Sequence, residues 1–209
     1  MTKDLIFYTN PMSRGRIARW MLEEVGAPYR TEILDYGTTM QAPDYRAINP
    51  MAKVPAIKHG ETIVTECAAI CAYLADAFPE AGLAPPPAER GDYYRWLFFA
   101  AGPVEAAVTN RALEWVAPPE KHAFVGYGSF DETIDTLERA VADRPYITGD
   151  TFSAADVYVG AHINWGLMFK SIPERPAFAA YAARVQDRPA YKRAAEIDDA
   201  AMAAAKTAG

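Results

Sequence analysis

The most informative stretch of this chain is NPMAKVP at residues 49–55, and Glu66 follows eleven residues beyond Pro55. Pro55 enters a predicted strand directly after Val54. Because X–Pro bonds adopt the cis form far more readily than other peptide bonds, we predict a cis peptide between these two residues. A cis bond turns the N–H and C=O of Val54 outward, where a peptide-like ligand can pair with them as an added strand.

Glu66 stands at the predicted start of a helix. Exposed backbone N–H groups and the positive end of the helix dipole lie at such a position, and both favour a ligand carboxylate. The side chain of Glu66 is then placed to hold an adjacent ammonium group. Together with Val54, Glu66 predicts a site for an α-amino acid that is joined to a peptide.

The first 80 residues alternate between short strands and helices around this stretch. Strands are predicted at 4–8, 29–34, 54–58 and 62–64, and helices at 14–25, near Tyr45 and at 66–78. The resulting order, β-α-β-α-β-β-α, is typical of a mixed α/β domain.

The rest of the chain is richer in alanine and poorer in Val, Ile and Thr, which indicates an all-helical domain. Helices are predicted at 90–115, 130–143, 154–169, 176–187 and 189–204. Ser153 and Asp156 form a capping box at the start of the third of these helices. A proline-rich linker at 81–88 separates the two predicted domains, residues 1–80 and 89–209.

Composition excludes several classes of protein. The formal net charge of −6 argues against a nucleic-acid partner. No apolar run is long enough to span a bilayer, and none resembles a signal peptide, so we expect no membrane partner. Cys67 and Cys71 lie four residues apart on one predicted helix, where a disulfide fits poorly, which indicates a reduced, cytoplasmic compartment. The three histidines are scattered without ligand spacing, and we expect no metal.

At its motifs the chain resembles the cytosolic glutathione transferase superfamily. NPMAKVP at 49–55 matches the family pattern N-P-x-G-K-V-P, TECAAI at 65–70 matches (S/T)-E-S-x-A-I, and FSAAD at 152–156 contains the helical-domain signature (S/T)-x-x-D. The resemblance implies a thioredoxin-like α/β N-terminal domain and an all-α C-terminal helical bundle domain with an electrophile pocket. It also implies glutathione as cosubstrate and a homodimer.

The resemblance also implies roles for individual residues. Val54 pairs through its backbone with the cysteinyl part of glutathione, Pro55 is cis, Glu66 binds the γ-glutamyl end and Lys53 reaches the glycyl carboxylate. Two positions depart from the family pattern. Cys67 replaces the usual serine and is a poorer hydrogen-bond donor, either a ligand contact or a small buried side chain. Ala52 replaces the usual glycine of the turn.

The sequence offers several candidates for the group that would activate the glutathione thiol. The thiolate is the reactive form, and an ordinary thiol with a pKa of about 8.5 is mostly protonated at neutral pH. Ser13, just before the first helix, and Tyr8, at the end of the first strand, are the candidate catalytic residues. Asn10 and a backbone amide are further candidates, and Arg14 adds positive charge. Each side chain also has a structural alternative, as helix cap, core aromatic or turn former.

These expectations combine into a glutathione transferase that conjugates the glutathione thiolate to small hydrophobic electrophiles. One alternative is a non-catalytic binding or assembly protein that keeps the fold, and another is a glutathione-dependent peroxidase or disulfide reductase. The dithiol slot of thioredoxin-like relatives reads NPMS at 10–13, without cysteine. Candidates for the apolar electrophile pocket are aromatic and polar residues on the second domain's helices: Tyr94, Phe98, Phe99, Asn110, Trp115 and Trp165.

Overall fold

The computed structural model describes residues 4–207. Its four strands are β1 (Leu5–Thr9), β2 (Arg30–Ile33), β3 (Ala56–His59) and β4 (Thr62–Thr65). The helices are α1 (Gly15–Val25), α2 (Pro43–Ile48), α3 (Cys67–Ala77), α4 (Gly91–Phe99), α5 (Glu105–Ala112), α6 (Phe130–Ala142), α7 (Ala154–Met168), α8 (Pro176–Gln186) and α9 (Pro189–Thr207). The predicted order of elements in the first 80 residues is confirmed.

The strands form one mixed sheet in the order β2-β1-β3-β4. β1 runs parallel to β2, and the intervening α1 provides the crossover that parallel strands require. β3 is antiparallel to β1, and β4 returns beside β3 as a hairpin. This arrangement of a small mixed sheet with helices is the predicted thioredoxin-like unit.

Alternation along β1 builds the core of this unit. Leu5, Phe7 and Thr9 are buried, whereas the two alternate residues, Ile6 and Tyr8, are only half-buried, as expected for a strand with one fully covered face. α1 buries Met21 and Leu22, and α3 buries Leu74. Gly26, with a φ of 66°, ends α1 in the left-handed conformation that glycine adopts most easily.

The second unit is a bundle of helices, as predicted, and its α7 is buried along most of its length. The predicted capping box at the start of α7 is present between Ser153 and Asp156. The Asp156 carboxylate also accepts hydrogen bonds from the backbone N–H of Ile147 and the hydroxyl of Tyr181, each at 2.7 Å. This carboxylate therefore ties the helix start to two other parts of the bundle.

The predicted helix 90–115 is interrupted. A π-helical turn at Ala100–Val104 separates α4 from α5. This turn contains Pro103, which has no N–H to give to the helical ladder, and such a proline disturbs the regular hydrogen-bond spacing. No helix within residues 4–207 combines the length and apolar character needed to cross a membrane.

The division of the chain differs from the predicted one at its C-terminal end. Within the described residues, those from 187 onward group by contacts with those up to 83, and residues 84–186 form the other unit. The helix predicted as the end of the all-α domain, α9, packs along α1 instead. Ion pairs provide the physical reason, among them the buried Arg19–Asp198 pair with Nε and Oδ1 2.7 Å apart.

Candidate functional site

The ends of three elements meet at one edge of the sheet in the first unit. The Val54–Pro55 peptide is cis and leads directly into β3. In the sheet register, Ala56 at the start of β3 pairs with both Tyr8 near the end of β1 and Thr65 at the end of β4. The loop after β1, the cis peptide and the start of α3 after β4 therefore share this edge, and the cis form of the Val54–Pro55 bond is the predicted one.

Two side chains hold the loop that presents Val54. The Tyr45 hydroxyl and the Asn49 amide both donate to the carbonyl oxygen of Lys53, at 2.6 and 2.8 Å. Burial raises the pKa of Tyr45 to about 12, so this hydroxyl stays protonated and donating at neutral pH. Ala52, where the family pattern has glycine, is buried at a φ of 51°. A residue with a Cβ thus adopts a positive φ at this turn, a conformation that glycine adopts more easily.

The Lys53 side chain is exposed, and Val54 is half-buried beside Tyr45. Lys53 is therefore free to extend toward a carboxylate, while its own carbonyl is committed to the loop. Asn49 could be found from the sequence because it belongs to the NPMAKVP motif. Tyr45 was predicted only as part of a helical turn, and its contact with Lys53 carried no signal in the sequence.

Glu66 is the N-cap residue of α3 and has a φ of 66° and a ψ of 119°, outside the helical region. A non-glycine residue in this region is strained, and such strain accumulates at functional sites. Its side chain is exposed and makes no capping hydrogen bond. The first helical bond runs from the N–H of Ile70 to the Glu66 carbonyl at 2.8 Å, so the preceding N–H groups of the first turn have no helical acceptor.

Backbone donors and a carboxylate thus lie together at the start of α3. The first turn of α3 presents backbone donors and the positive end of a helix dipole, which attract a carboxylate. The exposed Glu66 carboxylate is placed to accept hydrogen bonds from an ammonium group.

Cys67 joins the start of α3 to the start of α1. It is buried, and its Sγ donates to the carbonyl oxygen of Arg14 across 3.6 Å. Cys71, one turn later, is fully buried, and burial raises the pKa of its thiol well above the usual range. Both cysteines are free thiols, and the spacing that argued against a disulfide is consistent with this finding.

The loop after β1 is held by Asn10 and Ser13. The Asn10 amide donates to Leu34 O at 2.8 Å, and its Oδ1 accepts from the N–H of Met12 at 2.9 Å. The Ser13 hydroxyl donates to Asn10 O at 2.6 Å and accepts from the N–H of Gly15 at 2.9 Å. Asn10 thus has both ends of its amide engaged, whereas Ser13 can redirect its single proton by rotating the hydroxyl.

Tyr8, near the end of β1, packs against the cluster of Met40, Tyr45 and Ala56. Its ring is half-buried and lies 5.6 Å from the ring of Tyr45. Among residues 4–207, no hydrogen bond of the Tyr8 hydroxyl is found. The site therefore offers two kinds of hydroxyl: one in the loop at Ser13, already bonded, and one on the strand at Tyr8.

The candidate pocket residues of the second unit do not gather in one place. Tyr94 and Phe98 are exposed on α4, and Phe99 packs edge-on against Trp96 with ring centroids 5.5 Å apart. A cavity of about 420 Å³ lies between the end of α5 and the start of α6. Of the six candidates, Trp115 lines it, together with Arg111, His122, Tyr127 and Phe130. Asn110 donates to the Tyr127 hydroxyl at 3.2 Å, and Trp165 is half-buried on α7.

Both halves of the chain match glutathione S-transferase families. Residues 12–77 match the glutathione S-transferase N-terminal domain and residues 104–184 the C-terminal domain. A glutathione S-transferase of Escherichia coli O157:H7 is 29% identical over 164 residues, which are 77% of this chain and 78% of that protein.

Solved structures show the same likeness. A glutathione transferase from Methylococcus capsulatus has a TM-score of 0.77 and 29% identity, with 93% of this chain and 98% of that chain covered. A theta class glutathione S-transferase of Xanthomonas axonopodis pv. citri, with glutathione bound, has a TM-score of 0.73 and 29% identity, with 92% and 97% covered.

A thioredoxin-like unit with a cis-proline edge, combined with a helical bundle, defines the glutathione transferase class of folds. This chain belongs to the cytosolic glutathione transferase superfamily. Glutathione is the ligand bound in related structures.

Proposed function

We propose that this protein is a glutathione transferase that conjugates the glutathione thiolate to small hydrophobic electrophiles. The observation that carries the proposal is the meeting of the cis Val54–Pro55 edge with the strained Glu66 at the start of α3. The first element suits an extended peptide, and the second suits an amino-acid end group. Glutathione, a tripeptide with a free γ-glutamyl amino-acid end, has both features.

In the proposed complex, the N–H and C=O of Val54 pair with the cysteinyl residue of glutathione as an added strand. The backbone donors at the start of α3 hold the γ-glutamyl carboxylate, and Glu66 holds its ammonium group. Lys53 extends to the glycyl carboxylate. Cys67 contributes through its backbone N–H, because its Sγ is already directed to Arg14 O.

The chemical step requires a thiolate. Lowering a thiol pKa by two units takes about 2.7 kcal/mol, which is within reach of one or two donors near a helix N-terminus. In this proposal Ser13 rotates its hydroxyl from Asn10 O to the sulfur and donates a hydrogen bond that favours the thiolate. The alternative donor to the sulfur is the hydroxyl of Tyr8 on β1. The thiolate then attacks the electrophile, forming a carbon–sulfur bond and expelling the leaving group with its electron pair.

The second unit would supply the apolar surface against which the electrophile lies, and detoxification in the cytoplasm is the role that such a reaction would serve. We propose a homodimer as the working assembly. These statements rest on the superfamily membership of the chain and on the exposed aromatic side chains of its second unit, such as Tyr94 and Phe98.

A titration of bound glutathione tests the proposal. The ultraviolet absorbance of the thiolate is followed as the pH is raised through the usual thiol pKa of about 8.5. We expect saturable binding and ionisation well below that value. Absence of binding would favour a fold kept for assembly, and binding without a lowered pKa would favour a carrier. Turnover of peroxides or mixed disulfides, with aryl halides left unreacted, would favour the peroxidase or reductase.

The same titration, repeated with variants, identifies the side chain that donates a hydrogen bond to the thiolate. Ser13→Ala should raise the pKa of the bound thiol and leave the affinity for glutathione nearly unchanged. If Ser13→Ala leaves the pKa in place and Tyr8→Phe raises it, the role passes to Tyr8. Tyr36→Phe, which removes an exposed hydroxyl elsewhere in the same unit, is the matched control.

A further inference from the structure

Arg16 on α1 links the loop after β1 to the last helix of the chain. Its Nε donates to the carbonyl oxygen of Pro11 at 2.7 Å, and one of its terminal nitrogens donates to the Asp199 carboxylate on α9 at 2.5 Å. The same nitrogen lies 3.1 Å from Sδ of Met202. The guanidinium thus donates to the loop through Nε and to α9 through a terminal nitrogen.

The carbonyl that Arg16 holds lies in the turn Asn10–Ser13. Pro11 has no N–H, so its carbonyl is its whole contribution to backbone hydrogen bonding. At its start the turn is fixed to Leu34 through the Asn10 amide, and it is closed by the bond from the N–H of Ser13 to Asn10 O at 3.0 Å. The position of Ser13 therefore depends on a turn that Arg16 holds at Pro11.

Other contacts keep α9 on α1 independently of Arg16. Arg19 pairs with Asp198 inside the interface, Arg188 makes two hydrogen bonds to Glu24, at 2.6 and 2.7 Å, and Arg193 pairs with Glu23. These contacts lie on later turns of α1, away from the loop. Removing the Asp199 carboxylate should thus release Arg16 without undocking α9.

We infer that Arg16 is a positioning residue, and that through Asp199 the C-terminal helix sets the geometry of the Asn10–Ser13 turn and hence the ionisation of the bound thiol. This inference rests on the proposed function for its chemical consequence. A guanidinium held between two acceptors is fixed in direction by its planar fork, whereas an ammonium group is not, so arginine and lysine differ in this role.

The two ways in which Asp199 could act, as a negative charge or as a group that holds Arg16, predict opposite effects on the pKa of the bound thiol. The charged and titratable groups that face Arg16 from α9 are Asp199, Asp198 and Tyr191, and Asp198 is itself paired with Arg19 of α1. If Asp199 acted only as a negative charge, its loss would favour a thiolate nearby. If it acts by holding Arg16 in place, its loss disfavours the thiolate.

The experiment compares Asp199→Ala with Arg193→Gln in the full chain. Alanine keeps the helix propensity of α9, and Arg193→Gln breaks an exposed pair of the same interface that does not reach the loop. Two quantities are measured: the pKa of bound glutathione, and the amide hydrogen exchange of Met12 and Ser13 in the free protein. We expect Asp199→Ala to raise the thiol pKa by about half a unit or more, roughly a threefold fall in the thiolate-to-thiol ratio. Exchange at Met12 and Ser13 should become faster.

Arg16→Lys keeps the charge and should show the same two changes, whereas Arg193→Gln should show neither. The inference is overturned if Asp199→Ala behaves like Arg193→Gln in the exchange measurement, or if it lowers the thiol pKa. A wild-type protein that binds no glutathione would refute the proposed function instead. The link between Asp199 and the turn is then decided by the exchange measurement alone.

Discussion

Tyr45 donates its hydroxyl to the carbonyl oxygen of Lys53 across 2.6 Å and so connects α2 to the residue just before Val54. The same carbonyl accepts the Asn49 amide. With both donors engaged, the Lys53 carbonyl is fixed toward Tyr45 and Asn49, and the N–H of Val54, in the same planar peptide, points away from them.

Tyr45→Phe should loosen this edge. The variant loses one buried hydrogen bond, and we expect the free energy of unfolding to fall by about 1 kcal/mol, because Asn49 still satisfies the Lys53 carbonyl. The affinity for glutathione should fall as well, because Val54 is less firmly presented. Chemical denaturation and calorimetric titration measure the two effects, with Tyr36→Phe as the exposed control. An unchanged affinity would show that the hydrogen bond serves the fold alone.

The stability of the protein should fall in alkaline solution through Tyr45. Burial raises its pKa to about 12, above the usual value of 10. Since the folded state holds this proton more tightly than the unfolded state, the resulting stability is present below about pH 10 and is lost as the pH rises toward 12. Denaturation midpoints through this window, with phenolate absorbance, should show a steeper loss for the wild type than for Tyr45→Phe. Equal slopes would contradict the assignment.

Glu66→Gly should separate backbone strain from ligand binding. Glu66 and Ala52 both have a positive φ, which costs a residue with a Cβ about 1–2 kcal/mol in the left-handed region. Ala52→Gly should therefore leave stability equal or slightly higher, without loss of glutathione affinity, and serves as the matched control.

Glu66→Gly should relieve the strain of the positive φ in the same way. It should also weaken glutathione binding by about 2 kcal/mol, roughly 30-fold, because a charge-assisted pair is lost. Thermal denaturation and titration of both variants measure this contrast. Equal affinities in the two would remove the Glu66 side chain from the site.

Asp156→Ala should be among the most destabilising changes in the second unit. The buried carboxylate accepts four hydrogen bonds, including those from Ile147 and Tyr181, and alanine leaves these donors without an acceptor. We expect a loss of about 3 kcal/mol or more in chemical denaturation. The control is Glu132→Ala in the capping box of α6, where the side chain is exposed and the loss should be about 1 kcal/mol. Similar losses at the two caps would contradict the role of burial.

The sequence was sufficient to predict the order of strands and helices in the first 80 residues and the cis peptide at Val54–Pro55. Hydrophobic periodicity placed the strands and helices, and Val54-Pro55 with Glu66 predicted the two ends of the candidate site. The π-helical turn at Ala100–Val104 was missed although Pro103 marks it, because a proline within a long apolar helix signals disturbance without specifying its form. The contact of Tyr45 with Lys53 was missed because no local pattern relates a side chain of one helix to a carbonyl of the following loop.

Local signals along the chain, such as periodicity, capping residues and a motif with its proline, determined the fold class and the edge at Val54, because each depends on neighbours only a few residues away. The place of α9 required the folded molecule. Its composition resembles that of the other alanine-rich helices, and its partners on α1 lie roughly 180 residues earlier, as in the pair of Arg16 with Asp199. Which hydroxyl of the site is already bonded was likewise decided by the loop geometry around Asn10 and Ser13, since a hydrogen bond depends on distances that a one-dimensional sequence does not specify.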